Sequence, residues 1–281
     1  MILGDEASEE AVQELREEFG LTGSYFERYW KYLTGLLRGD LGISYTTREP
    51  VTKEIGVRFP ITLKITCLVC IFFVCVGIPA GIISAQYSVL DNLVTVLATL
   101  GICMPNFWLA LLLILYFSVH LGVLPPSGLY TWTSYILPVL SISAATLATI
   151  TRMTRSSMLE VIRQDYIRTA RAKGSSEKTV IIRHALKNAL IPIITVVGFQ
   201  FAVGIGGAVV NEQIFAIPGI GKMMVDAIKQ RNYPLVQGGV LVIALSYSLL
   251  NLLIDLIYGF VDPRIRSQYV KPKKHARKEQ N

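Results

Sequence analysis

The chain has 281 residues, of which 52% are hydrophobic and only 17% charged, and its formal net charge is +7. A soluble globular domain carries about 25% charged residues, so this composition argues against a soluble protein and indicates a chain embedded in a membrane. Residues 1–60 hold 11 acids and 7 bases, whereas residues 61–281 hold 9 acids and 20 bases. Basic clusters between apolar segments are typical of cytoplasmic loops, and nucleic-acid binding is not expected because no soluble basic domain surrounds them.

The acidic region at residues 1–60 contains an amphipathic stretch at 8–38. Ala11, Leu15 and Phe19 recur at every fourth position, and a similar apolar stripe follows the break "GLTG". This pattern predicts two amphipathic helices. Their apolar faces are expected to pack on neighbouring protein, and a position in the membrane interface is the alternative.

Long uncharged runs predict five membrane-spanning helices, since a helix crosses the hydrocarbon core with about 20 apolar residues. Residues 92–151 contain no Asp, Glu, Lys or Arg, and this run is too long for one helix. The sequence "LPPSG" at 124–128 divides the run, because tandem prolines favour an extended turn. The predicted spans are residues 65–90, 93–119, 135–156, 188–211 and 235–261.

Two basic segments set the predicted orientation. Lys and Arg residues collect in residues 157–187 and 263–281, and such segments stay on the cytoplasmic side of a membrane. Tracing the spans from them places the loops 120–134 and 212–234 outside and the loop 86–92 inside. The predicted organisation is an external region at 1–60, a transmembrane domain at 61–262 that includes the basic loop 157–187, and a basic cytoplasmic tail at 263–281.

The segment "YIRTARAKGSSEKTVIIRHALKNALIP", residues 166–192, is basic and amphipathic, with six Lys or Arg residues and one acid. Gly174 ends one helical pattern and Ser175 or Ser176 can cap the next, which predicts a helix, a turn and a second helix. A helix that lies on anionic lipid does not need the turn and the second helix, whereas a protruding helical hairpin that docks into another protein does. The residues predicted to share the apolar face of the first helix are Leu159, Ile162, Tyr166 and Ala170.

The sequences "DYIRTARAKG" and "RHALKNALIP" resemble the cytoplasmic coupling loop of ABC importer permeases, in the peptide and nickel branch of that family. Five further stretches resemble the same branch, so the resemblance covers nearly the whole chain: "LRGDLGISYTTREPVTKEI", "SYILPVLSI", "RMTRSSMLEVI", "NEQIFAIPGIGKMMVDAIKQRNYPLVQG" and "DPRIR". It implies an all-α integral membrane fold, the transmembrane domain of a type I ABC importer. Family members have six spans, so we expect that their first hydrophobic helix is missing from this sequence.

The resemblance also implies the function and the partners. The chain would be the permease subunit of an ATP-driven importer of dipeptides or oligopeptides in the cell membrane, with uptake of nickel or a metal chelate as the alternative. It would pair with a second, homologous permease, two ABC ATPase subunits and an extracellular solute-binding protein. ATP and Mg would bind to the ATPases, and this chain would hold no cofactor and no metal. A membrane enzyme or a receptor is less consistent with the sequence, which contains neither G-x-S-x-G nor H-E-x-x-H.

The coupling loop implied by the resemblance would sit in a cleft of the ATPases, where small residues permit a close approach of backbones. The glutamate after which the family motif is named is absent, and Arg168 stands six positions before Gly174. Where family members commonly read Arg-Asp-Tyr-Pro, this chain has Asn232. The coupling residues carried over are Tyr166, Arg168, Thr169, Ala170, Arg171, Ala172, Lys173, Gly174, Arg183, His184, Asn188 and Pro192.

Other candidate sites lie near the fourth span. Gly204, Gly206 and Gly207 form a small-residue patch that predicts close helix packing, with a pathway lining as the alternative. Glu212 is predicted either to contact substrate or to be solvated or paired locally, with Arg231 as its possible partner. The sequence "PGIGKMM" lacks the residues of a phosphate loop and is interpreted as a turn. The candidates for an outer gate or pathway are Glu212, Phe215, Pro218, Gly219 and Arg231.

Overall fold

The computed structural model describes residues 22–261 and the single positions 8, 10, 13, 14, 17 and 19, without the side chains of residues 88 and 258–261. Most of the first predicted amphipathic helix, including Ala11 and Leu15, and the whole basic tail therefore lie outside the described residues. Apart from one turn at Glu177–Thr179, the α-helices of residues 22–261 are α1 (Tyr25–Leu37), α2 (Val51–Gln86), α3 (Ser88–Cys103), α4 (Asn106–Leu113), α5 (Ile136–Ile162), α6 (Asp165–Ala172), α7 (Leu186–Gly207), α8 (Val209–Ile214), α9 (Ile220–Lys229) and α10 (Tyr233–Val261).

Helix α1 confirms the second predicted amphipathic helix. Ser24 and Glu27 form a capping box, in which the Glu27 N–H donates to Ser24 Oγ and the Ser24 N–H donates to Glu27 Oε2. Leu36 packs against a buried cluster, while the aromatic side chains of Tyr25 and Trp30 are exposed. The helix is therefore anchored to the protein near its C-terminal end.

The apolar runs form helices as expected, but the helices are longer than the runs. Among the described residues, four helices are long and apolar enough to cross a membrane, and the number is five if a bent pair of helices is counted as one span. The first predicted span, 65–90, overlaps the second part of a helix of 36 residues that begins at Val51 and ends at Gln86, so its last four residues lie beyond that helix. The other three long helices are Trp132–Ile162, Glu177–Gly207 and Tyr233–Ile257.

The second predicted span, 93–119, is not a single helix. The helical segments Val89–Cys103 and Asn106–His120 meet at an angle of 102°. Pro105 lacks an N–H group and disfavours helical geometry at the residue before it, and Met104 is extended with ψ 122°. A proline that the sequence analysis passed over thus breaks this span, and residues 114–120 continue α4 as a π-helix.

The "PGIGKMM" segment is only partly a turn. Pro218 and Gly219 belong to a turn, but α9 begins at Ile220 and continues to Lys229. The amphipathic spacing of Ile220, Met223 and Ala227 explains the helix, because all three side chains are buried on one face.

The described residues fall into two compact units. The first draws on the described residues up to Thr66, on Ala110–Pro138 and on Ile205–Leu245, and the second on Cys67–Leu109, on Val139–Gly204 and on the described residues from Ser246 onward. The buried cluster of the first unit is Leu41, Val51, Ile55, Ile220, Met223, Ala227 and Leu235. The buried cluster of the second unit, called the coupling core below, is Met158, Ile167, Val180, Ile181, Ala185, Ala189 and Ile193.

Candidate coupling site

Helix α6 lies against the second unit through one side only. Ile167 is fully buried in the coupling core, where it joins Met158 of α5 and Val180 of the returning segment. Ala170 is half-buried at the same core. The residues of α6 and its turn that remain exposed are Asp165, Tyr166, Arg168, Thr169, Arg171, Ala172, Lys173 and Gly174.

The predicted turn at Gly174 is confirmed. Gly174 has φ +81°, a left-handed conformation that favours glycine, and its N–H donates to the Arg171 carbonyl at 2.9 Å. A β-carbon at this position would meet no atom of the described residues within 4 Å, so the backbone angle and not crowding requires glycine. Ser176 then caps the return, because its side chain accepts a hydrogen bond from the Thr179 N–H.

The predicted common face of Leu159, Ile162, Tyr166 and Ala170 is not formed by one helix. Helix α5 ends at Ile162, and Gln164 is extended with ψ 150° before α6 begins at Asp165. Because the extended Gln164 changes the direction of the chain, the faces of α5 and α6 are not continuous. Ile167 is therefore the buried side chain of α6, and Tyr166 is exposed.

The turn is closed by an ion pair. Arg171 Nη2 donates to Glu177 Oε1 at 2.6 Å, and Arg171 Nε donates to Glu177 Oε2 at 3.0 Å. This bidentate geometry joins the end of α6 to the start of the return and holds the pKa of Arg171 above its ordinary value. Both side chains are exposed, so the pair orients the turn more than it stabilises the fold.

The returning segment joins the turn to α7 without a break. Residues 180–185 form a π-helix that leads into α7, and Pro192 lies inside α7. Asn188 Nδ2 donates to Tyr166 Oη at 2.9 Å and to the His184 carbonyl at 3.1 Å. Arg183 is exposed and His184 half-buried. The structure therefore places the twelve coupling residues named from the sequence on α6, its turn, the returning segment and the first part of α7, and Asn188 joins the return to Tyr166 of α6. Their contact with an ATPase remains a prediction.

In the first unit, Glu212 is fully buried and fully hydrogen-bonded. Thr62 Oγ1 donates to Glu212 Oε1 at 2.6 Å, and the Lys222 N–H donates to Oε2 at 3.0 Å. Thr62 Oγ1 in turn accepts from the Ile220 N–H at 2.9 Å. Thr62 and Glu212 thus cap the N-terminus of α9 from outside the helix, where an anion is favoured.

This geometry favours local pairing for Glu212, with partners other than the predicted Arg231. Its described donors are Thr62 and the Lys222 N–H, whereas Arg231 is exposed, with φ +56°; contact of Glu212 with substrate stays a prediction. Burial raises the pKa of Glu212, while the Thr62 hydroxyl and the N–H groups of Lys222 and Gly221 lower it. A β-carbon at Gly219 would lie 2.2 Å from Oε1, so glycine is required beside this carboxylate.

Two other gate candidates lie in the same segment. Phe215 is buried and its carbonyl accepts from the Gly128 N–H at 2.8 Å, whereas Pro218 is exposed. Both residues lie between α8 and α9, within six positions of Glu212. Whether any of them lines a pathway stays a prediction.

Comparison with known proteins gives the family. The sequence model described as the binding-protein-dependent transport system inner membrane component matches residues 77–267. This chain belongs to that family. The permease is 43% identical to the dipeptide transport system permease DppB of Alkalihalophilus pseudofirmus, over 94% of this chain and 89% of the relative. It is 41% identical to the glutathione transport system permease GsiC of Escherichia coli K12, over 95% of this chain and 88% of that relative.

Solved structures confirm the fold. The permease matches a chain of the MetNI methionine ABC transporter, solved in inward-facing conformations, with a TM-score of 0.64 and 18% identity over 76% of this chain and 99% of the other. A chain of an amino acid ABC transporter solved with histidines gives a TM-score of 0.55 at 15% identity, over 76% of this chain and 94% of the other. The fold is the transmembrane domain of a type I ABC transporter, as the sequence resemblance implied.

Hydrogen bonds of the permease explain why asparagine fits at position 232, where family members commonly have aspartate. Asn232 is buried, its Nδ2 donates to Ser44 Oγ at 2.8 Å, and its Oδ1 accepts from the Tyr45 N–H at 3.1 Å. Both ends of the amide are therefore satisfied, which a buried polar side chain requires. The contact ties the turn before α10 to the loop before α2.

The tight helix contacts of the permease lie at glycines that the sequence analysis missed. A β-carbon at Gly81 would lie 2.5 Å from Thr154 Cβ, whereas one at Gly206 would make an ordinary contact and one at Gly207 would meet none of the described atoms within 4 Å. Gly204 is half-buried. Gly77 and Gly81 have the G-x-x-x-G spacing of packed membrane helices, and this signal could have identified them.

Proposed function

We propose that this permease is the membrane subunit of an ATP-driven importer that takes up dipeptides or oligopeptides. The observation that carries the proposal is the exposed, basic α6–Gly174 turn, which is fixed to the transmembrane helices through the buried Ile167. A displacement of this turn by a separate protein would move the transmembrane helices as well, because the side chain of Ile167 is closely packed between them. The relatives named above, permeases for a dipeptide and for the peptide glutathione, support peptides as the solute class.

The proposal includes partners that bind on opposite sides of the membrane. A second permease completes the pathway, two ATPases with ATP and Mg bind the turn in the cytoplasm, and a solute-binding protein delivers the peptide outside. Closure of the ATPases would move α6, and the coupling core would pass this movement to α5 and α7.

Contacts within each unit support the proposed sidedness. The segments assigned to the outside contact one another, through the Gly128–Phe215 hydrogen bond and through Asn232 with Ser44. Among the segments assigned to the cytoplasmic side, Asp91 in the predicted loop 86–92 binds Arg155, which lies just before the basic loop 157–187. Cysteines introduced at Thr131 and Lys178 test this assignment with an impermeant maleimide. Labelling of intact cells at position 131 alone is expected, and the reverse pattern would invert the topology.

Replacement of Gly174 tests the coupling role. Gly174→Val should abolish peptide uptake by the assembled transporter while ATP hydrolysis continues, because the side chain forces the backbone out of the left-handed region and occupies the docking surface. Gly122 is a matched control, with φ +65° and no described atom within 4 Å of its β-carbon. Gly122→Val imposes a similar strain of about 1–2 kcal/mol in a loop assigned to the outside. Equal effects of the two variants on uptake per ATP hydrolysed would refute the coupling role.

A further inference from the structure

An ion pair ties the corner between α2 and α3 to α5. Arg155 Nη2 donates to Asp91 Oδ2 at 2.5 Å and Arg155 Nε donates to Oδ1, so the contact is bidentate. Ser84 Oγ donates to the same Asp91 oxygen at 2.7 Å. One carboxylate on α3 therefore binds a guanidinium on α5 and a hydroxyl on α2.

This ion pair lies at the edge of the coupling core. Arg155 is one helical turn before Met158, which is fully buried beside Ile167 of α6. Ser84 lies between Ile82 and Ala85 of α2, and both of these side chains pack against the same core. Helix α5 thus carries one residue of the ion-pair cluster and one of the coupling core, and α2 carries one residue of the cluster and neighbours that pack against that core.

The chain path gives the ion pair a mechanical consequence. Only Tyr87 separates α2 from α3, and it is extended with φ −121° and ψ 109°. A one-residue corner permits a hinge but does not fix the angle between the helices. The side chains of Asp91 and Arg155 are 19% and 35% exposed, so their pairing is partly desolvated and bidentate, the arrangement in which an ion pair is strong and directional.

We propose that Asp91 and Arg155 are positioning residues that make α3 move with the coupling core when α6 is displaced. The inference rests on the proposed function, since it concerns how closure of an ATPase reaches the transmembrane helices. The proposed role requires no contact of either residue with solute or ATP. Their effect is to keep α3 in register with α5 during the movement.

The test uses the complete transporter, with its ATPases, second permease and binding protein, reconstituted in vesicles. Peptide uptake and ATP hydrolysis are measured in the same preparation, and the thermal midpoint of the complex is recorded. In Asp91→Asn and Arg155→Gln, uptake per ATP hydrolysed should fall about tenfold, the scale of an ordinary coupling free energy. ATP hydrolysis should persist, because the exposed face of α6 is unchanged. The exchange of charges in Asp91→Arg with Arg155→Asp should recover most of the ratio.

Asp226→Asn is the matched control, because it removes an ion pair of similar exposure, Lys222–Asp226, from the first unit. It should leave the ratio unchanged. If Asp91→Asn keeps the wild-type ratio, or lowers uptake and hydrolysis in parallel with the thermal midpoint, the pair is merely structural and the inference is refuted. A charge exchange no better than the single variants also counts against it. A wild-type complex that moves no peptide would instead refute the proposed function.

Discussion

Replacing Thr62 with valine removes one hydroxyl that joins three parts of the first unit. Thr62 Oγ1 donates to Glu212 and accepts from the Ile220 N–H, and all three residues are buried. Valine keeps the shape and the branching at Cβ, so the change leaves the packing of α2 nearly intact. It leaves the carboxylate with one donor fewer and the first N–H group of α9 without its acceptor.

The magnitude follows from these two losses. A hydrogen bond to a charged group contributes about 1.5–3 kcal/mol, and a buried N–H without a partner costs about 1–3 kcal/mol. The two losses share one site and do not add fully, so we expect a destabilisation of about 3 kcal/mol. At roughly 2–4 °C per kcal/mol for a chain of this size, the thermal midpoint should fall by about 6–12 °C.

Thermal unfolding of the purified permease in detergent measures this effect, and Thr149→Val provides the control. Thr149 Oγ1 donates to the Ala145 carbonyl of its own helix at 2.9 Å, and its side chain is half-buried. Its loss removes a hydroxyl without orphaning a remote group, so the midpoint should change by about 2 °C or less. Equal midpoints for the two variants would show that Thr62 and Glu212 do not hold α9 in place.

Three further predictions concern single side chains. Asn232→Asp should be tolerated, with normal expression and a thermal midpoint near that of the wild type, because the Ser44 hydroxyl can donate to a carboxylate. Asn232→Leu should lower the midpoint strongly. A lower midpoint for Asn232→Asp than for Asn232→Leu would be inconsistent with the hydrogen bonds. Gly81→Leu should prevent accumulation of folded permease in membranes, since its β-carbon would lie 2.5 Å from Thr154 Cβ, whereas Gly207→Leu should accumulate normally. Ile167→Ala should cost about 2–5 kcal/mol in unfolding free energy, as for other buried isoleucines, and intact stability would show that α6 is not anchored to the core.

Local patterns accounted for the coupling turn. A glycine before two serines predicts the end of one helix and the start of another from neighbouring residues alone, and Gly174 and Ser176 occupy those positions in the structure. The first two spans show the limit of this reasoning. The uncharged run did not reveal that α2 begins at Val51, because the earlier part of the helix buries Val51 and Ile55 against protein but also carries charged residues such as Lys53 and Arg58.

What the sequence determined by itself was the membrane class, the family, the approximate spans and the position of the basic turn. These follow from hydrophobicity, charge and short-range spacing, which act between neighbours along the chain. Only the tertiary structure decided that Glu212 caps α9 together with Thr62, that Asp91 binds Arg155, and that Thr154 is the residue that Gly81 approaches. These partners are separated by 150, 64 and 73 positions, so each pairing depends on how helices rotate and slide against one another. Packing sets that rotation, and no local pattern encodes it.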